Sequence, residues 1–161
     1  MRSDLFRRSS GDTGLDGLGL GQKPIVMPHY PHMLSNDVAV WTRFLESGVL
    51  KPEVVWYDFH VGDSVELPDG VPPMEVRIAQ GLTRKRIDAV CLRTGNYWAV
   101  EVRPVCSMSA VGNAVFYARL LAQEVELDGG VFPVVVCDRV DHDVARFLDE
   151  LGVMVLSNEY A

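Results

Sequence analysis

The succession of apolar periodicities over residues 35–161 predicts one α/β domain with a mixed central sheet flanked by helices. Three observations carry this. RIDAVCL (86–92) and NYWAVEV (96–102) read as strands around Arg93-Thr94-Gly95, a tight hairpin. Val111, Ala114, Val115, Ala118, Leu121, Ala122 and Val125 then keep helical spacing. VFPVVVC (131–137) follows as a nearly all-apolar run, the pattern of a parallel strand buried on both faces. A hairpin followed by a strand–helix–strand crossover requires both antiparallel and parallel pairs.

The other elements follow in chain order. Ser35 or Asp37 is placed to cap a helix with Val38, Trp41 and Leu45 on one stripe, Val40 and Phe44 beside it, and Gly48 at its end. VVWYDFHV (54–61) mixes β-branched and aromatic residues as a strand does, and Gly62 closes it. Residues 63–73 form a loop containing Pro68, Gly70, Pro72 and Pro73, and MEVRIA (74–79) reads as a further short or edge strand. Ser107 or Ser109 opens the long helix, and Asp128-Gly129-Gly130 stops it. Asp141 caps a short helix with Val144, Phe147, Leu148 and Leu151, closed by Gly152, and VMVLS (153–157) is the last strand. Residues 1–34 differ. Their Gly/Ser/Asp-rich start and the proline-punctuated PIVMPHYPHM read as an extended arm and connector. Such an arm gains order only against a surface, so 1–34 is expected to lie on protein neighbours in a multi-subunit assembly.

Composition narrows the function. Hydrophobic residues at 48% and charged residues at 23% suffice for a core that does not depend on disulfides. Cys91, Cys106 and Cys137 are odd in number and lack CxxC spacing, so buried reduced thiols are expected. No apolar run reaches the ~18 residues of a membrane span. MRSDLFRRSSGDTG has no apolar stretch behind it, so no secretory signal is expected, and the location is read as cytoplasmic or within a virus particle. A net charge of −7 argues against coating nucleic acid non-specifically. Residues 84–103 nonetheless hold five basic side chains against two acidic ones, a local +3, which suits either a phosphate site or internal charge pairing.

The hairpin sharpens the site. With Thr94-Gly95 as a two-residue turn, Asp88 lies opposite Glu101 and Arg86 opposite Arg103, all on one face. Ile87, Ala89, Cys91, Trp98, Val100 and Val102 make the other face apolar. Opposed carboxylates repel and need compensation. A divalent cation would supply it, and so would diagonal Arg86–Glu101 and Arg103–Asp88 pairs.

RIDAVCLRTGNYWAVEVRP resembles the central motif of the PD-(D/E)XK nuclease superfamily, the restriction-endonuclease-like fold. Asp88 matches the motif Asp, Glu101 the acidic position, and Arg103 stands where the family has lysine. In the next helix, Asn113 and Tyr117 match a Gln-x-x-x-Tyr pattern with Asn for Gln, and Glu46 is the counterpart of an acid on the first helix. The resemblance covers roughly residues 35–157 in order of elements and four or five positions in motif. It implies phosphodiester hydrolysis with Mg²⁺ or Mn²⁺ held by Asp88 and Glu101, joined by Glu46. Asn113 and Tyr117 would complete the catalytic set, and Arg84, Arg86 and Arg103 would bind phosphate. Arg103 departs from the pattern, because a guanidinium clamps phosphate but cannot act as a base. Lys23, Lys51 and Lys85 are the only lysines, and Lys85 is expected to point to the opposite face.

Other patterns read structurally. His29 and His32 sit on a proline-rich connector without a clear third ligand; Asp138, Asp141, His142 and Asp143 suit capping and solvation; Trp41, Trp56 and Trp98 suit the core. Two functions remain open. One is a catalytically silent or weakened nuclease-like domain serving as a structural or interaction subunit, as in a phage head–tail or tail. The other is a metal-dependent nuclease acting on nucleic acid through Asp88 and Glu101.

Overall fold

The structure, a computed structural model, describes residues 18–160. Its elements run α1 (Ser35–Ser47), β1 (Val54–Val61), α2 (Pro73–Thr83), β2 (Lys85–Arg93), β3 (Asn96–Val102), β4 (Val105–Cys106), α3 (Met108–Glu124), β5 (Val131–Cys137), β6 (Arg139–Val140), α4 (His142–Ala145), α5 (Leu148–Leu151) and β7 (Met154–Ser157). Five strands form the central sheet in the order β1-β2-β3-β5-β7, and β4 pairs with β6 in a small second sheet. β1, β2 and β3 are antiparallel neighbours, whereas β3–β5 and β5–β7 are parallel. The chain is therefore an α/β protein with a mixed sheet flanked by helices, as its periodicities predict.

The two faces pack against different helices. Val40, Trp41, Phe44 and Leu45 of α1 meet Val55, Ala89, Cys91, Trp98, Val100, Val102, Val134 and Val136. Ala118 and Leu121 of α3 meet Phe59, Val61, Ile87, Val90, Tyr97 and Ala99 on the other side. Ile87 thus joins the α3 side, not the face of Ala89 and Cys91. In β1, Asp58 has φ 51, and the ladder skips its position between Tyr57↔Ala89 and Phe59↔Ile87 without changing frame. A left-handed residue in mid-strand reverses the alternation beyond it. It also leaves Asp58 directly across from Asp88.

Residues 74–79 form no strand. They lie within the helix α2, which starts where Pro72-Pro73 fixes backbone φ and removes amide donors that a first helical turn does not need. Over so short a run, alternating apolar residues fit either period, and the proline pair decides. The expected C-terminal helix is split into α4 and α5 at Arg146-Phe147, with Asp141 Oδ1 accepting from the Asp143 amide at 3.1 Å.

The described part of the arm belongs to this domain. Gln22 and Val55 exchange two backbone hydrogen bonds of 2.9 Å, and Gly19 O accepts from Trp56 Nε1 at 2.9 Å. Tyr30 is buried in the α1-side core, with Met27 and Met33 against it. Residues 1–17, the rest of the expected partner-binding arm, lie outside the described residues.

The hairpin turn has Thr94 at φ 48 and Gly95 at φ 76, as a type I′ turn requires. Glu53 Oε1 accepts from the Thr94 amide at 2.7 Å. The turn packs on the α3–β5 connection so tightly that a Cβ on Gly129 would lie 1.9 Å from Gly95 O. A β-branched residue is strained in the left-handed region by about 1–3 kcal/mol, and asparagine relieves part of that. Thr94→Asn is therefore expected to stabilise the fold by about 1 kcal/mol, a rise of about 2–4 °C in melting temperature. An unchanged or lower melting temperature would contradict the strained turn.

Candidate functional site

Four side chains from three elements meet at the end of β3. α1 supplies Asp37, which heads the stripe that buries Val40, Trp41, Phe44 and Leu45. Asp37 is not the helix cap. It lies in the first turn, and its carboxylate accepts from the backbone amide of Leu34, the capping residue. β2 supplies Asp88 and β3 supplies Glu101. The register has the expected frame from Arg93↔Asn96 to Ala89↔Val100, where the ladder ends, one position before Asp88 and Glu101.

Arg103 closes the group. Its backbone amide donates to Val136 O at 3.1 Å, tying the residue to β5 as β3 ends. Its Nη1 lies 3.2 Å from Asp37 Oδ2 and 3.3 Å from Asp88 Oδ2, and its Nη2 lies 2.9 Å from Glu101 Oε1. Nη1 also donates to Val102 O at 2.7 Å. The carboxylates sit beneath it: the side chains of Asp37, Asp88 and Glu101 are 6%, 15% and 1% exposed, against 40% for Arg103. Asp88 Oδ2 accepts from the Val102 amide at 2.8 Å, and Glu101 Oε1 accepts from Asn113 Nδ2 at 3.0 Å.

Three carboxylates around one guanidinium carry a net −2 when all are ionised. Burial, followed by the charge of Asp88, pushes Glu101 up to about 7, although Asn113 and Arg103 oppose the shift. Burial also raises Asp88 and Asp37. Arg103 is raised in spite of its burial, because the three carboxylates hold its proton. Tyr117 is raised by burial and then by Glu101 and Asp88, which places its hydroxyl in the field of the cluster. Arg103 pairs with all three carboxylates and lies over them, and a charge of −2 is left uncompensated by it when all are ionised. Among the described residues, no group of three or more His, Cys, Asp or Glu side chains is set to hold a metal ion.

The structure brings together Asp88, Glu101, Arg103 and Asn113, with Tyr117 nearby. Glu46 does not join them. It is exposed, and at 100° per residue its nine-residue separation from Asp37 puts it on the opposite side of α1. Asp37 takes the place expected of Glu46. Its signal was present in its i, i+3, i+4, i+7 and i+8 relation to the buried stripe, a pattern that also suits a helix cap.

Three of the five basic side chains of the window, Arg84, Arg86 and Arg103, form internal ion pairs, and Lys85 and Arg93 form none among the described residues. Arg84 Nη2 lies 2.7 Å from Glu124 Oε2, and its Nε donates to Gly62 O at 2.7 Å. Arg86 Nη1 lies 3.5 Å from Asp58 Oδ1, and its Nη2 donates to Gly81 O at 3.0 Å. The expected Arg86–Glu101 diagonal does not form: Ile87 faces α3, so Arg86 leaves the face it was expected to share with Asp88 and Glu101, the latter bonded to Asn113 of α3. The Arg103–Asp88 diagonal does form. His32 Nε2 lies 3.1 Å from the same Asp58, whereas His29 is exposed. Asp138 pairs with Arg43 at 2.7 Å, in keeping with a structural acidic cluster. Cys91, Cys106 and Cys137 are buried free thiols.

A raised Glu101 has a definite sign. The folded state binds its proton more tightly than the unfolded chain, so stability falls as pH rises from the ordinary 4.5 through about 7. The loss is on the order of 3 kcal/mol by pH 8. Glu101→Gln, which cannot ionise, is expected to gain on wild type between pH 5 and pH 8 in denaturant unfolding. A stability difference that stays constant over that range would contradict the burial of an ionisable Glu101.

Comparison of the chain with protein-family models, with curated proteins and with solved structures finds no match.

Proposed function

We propose that this chain is a catalytically silent domain of the PD-(D/E)XK type, used as a structural or interaction subunit of a larger assembly. The observation that carries the reading is the position of Arg103. Its guanidinium stands at the motif lysine position and contacts Asp37, Asp88 and Glu101 together. A motif lysine would leave the carboxylates to a cation and give up or position a proton. Arg103 takes the cation's place and keeps its own proton. The Mg²⁺ or Mn²⁺ that the resemblance implies has no ligand set in this arrangement, so no hydrolytic step follows from it. Arg84 and Arg86 are likewise engaged with carboxylates of the chain itself, which removes the support for a phosphate track. A virus particle, such as a phage head–tail or tail, is the kind of assembly this reading suits, since an acidic chain need not hold nucleic acid to serve there. The residual −2 of the cluster favours the second reading, a metal-dependent nuclease in which Arg103 swings aside.

Melting wild type and Glu101→Ala in EDTA and in Mn²⁺, together with a plasmid and RNA cleavage assay, separates the two. The silent reading expects no Mn²⁺-dependent rise for wild type, no cleavage, and a less stable variant even in EDTA. A wild-type rise that the variant loses, accompanied by cleavage, would establish the nuclease, because a ligand of the native state stabilises by mass action.

A further inference from the structure

Helix α2 is built unlike the other long helices of the chain: none of its residues is buried. Val76 and Ala79 are its half-buried side chains, and they share one side of the helix. On a flank about 130° round the helix, Met74, Ile78 and Leu82 recur at four-residue spacing and are 74%, 56% and 72% exposed. This apolar stripe faces solvent. An 11-residue helix without a packed face is marginal in water, so α2 has free energy to gain from being covered.

The surroundings of the stripe specify what would cover it. Glu75 borders it on α2. The loop before the helix carries Asp63, Glu66 and Asp69, and Val65 N donates to Thr83 Oγ1 at 2.9 Å, which brings that loop back against the end of the helix. All four acidic side chains are exposed, and none is in an ion pair among the described residues. Residues 63–83 hold these four acids and one base, Arg77, for a net −3. Of the basic residues that follow, Arg84 and Arg86 are paired internally, and Lys85, which is exposed and in no ion pair among the described residues, reduces the net charge of 63–86 outside those pairs to −2. A second copy of the chain suits the site poorly. The two acidic rims would repel.

We infer that α2 is a docking element for a protein partner presenting an amphipathic helix, apolar on the contact face and rimmed by lysine or arginine. Helix-on-helix packing would take Met74, Ile78 and Leu82 as anchors, and the acidic rim would steer and orient the partner. The inference deepens the interaction-module reading by naming the surface and the chemistry of what it binds.

The test uses the full chain and two fluorescently labelled 14-residue amphipathic peptides, one of leucine and lysine and one of leucine and glutamate. In anisotropy titrations the Leu–Lys peptide is expected to bind and to weaken with added salt. The Leu–Glu peptide should bind at least about tenfold more weakly. Ile78→Ser with Leu82→Ser should weaken the Leu–Lys peptide by about tenfold or more, since each anchor contributes a buried aliphatic side chain. Both sites are exposed, so an unchanged melting temperature is the fold control. Absence of binding, equal binding of the two peptides, or binding unaffected by the double variant would each overturn the inference. Sedimentation showing a dimer that the double variant abolishes would overturn it too, by making a second copy the occupant. The Mn²⁺ melts on the same proteins report on Arg103 separately, so loss of the α2 inference and loss of the silent reading give different results.

Discussion

A single guanidinium, Arg103, holds three carboxylates that arrive from α1, β2 and β3. Burying even one uncompensated carboxylate is costly, and here three are gathered at one end of the sheet. The compensation is distributed. Arg103 reaches all three, the Val102 amide serves Asp88, Asn113 serves Glu101, and the Leu34 amide serves Asp37. What these contacts leave uncovered appears as the upward shift of Glu101 to about 7. A cost on the order of 3 kcal/mol is a sizeable part of the ~5–15 kcal/mol that a domain of this kind has in total. The cluster is therefore a constraint around which the fold is arranged more than a source of stability. It fixes the first turn of α1 to the ends of two strands.

The neighbouring strand shows the same economy of charge. Asp58 adopts a left-handed backbone across from Asp88, and the turn it imposes hands Phe59, Val61 and Ile87 to the α3 side. It also collects Arg86 and His32. Two adjacent acid–base groups result, each organised by one arginine. Between β1 and β2 the chain inserts α2, which contributes little to either core. Its apolar stripe is uncovered among the described residues.

Much of this was legible beforehand, and the physical reasons differ from element to element. The hairpin register followed from Thr94-Gly95, because a two-residue turn leaves no freedom in pairing, and with it came Asp88, Glu101 and Arg103 as neighbours. Asn113 came from the resemblance to a Gln-x-x-x-Tyr pattern, and it donates to Glu101. The β5 and β7 crossover was visible in apolar runs that only a doubly covered sheet can hide. α2 was not legible as a helix, since six residues of alternating apolarity fit a strand as well, and the deciding prolines lie just outside them. Asp37 was mistaken for a cap because its spacing from Trp41 and Phe44 suits both roles. The inversion at Asp58 has no signature in composition or period. It goes with tertiary contacts to Arg86 and His32 that a strand pattern does not encode. Glu46 failed for a simpler reason: helical rotation turns it away from the residues it was meant to join.

The claim at the centre of this account is that Arg103 occupies, as an internal cation, the place a metal ion would take among Asp37, Asp88 and Glu101. Its most direct test is the Mn²⁺ dependence of the melting temperature of wild type beside that of Arg103→Ala. With the guanidinium gone, the three carboxylates should bind Mn²⁺, so the variant should melt higher with increasing Mn²⁺ while wild type does not respond. A wild type that responds as strongly as the variant would show that Arg103 does not occupy the cation position, and the silent reading would fall with it.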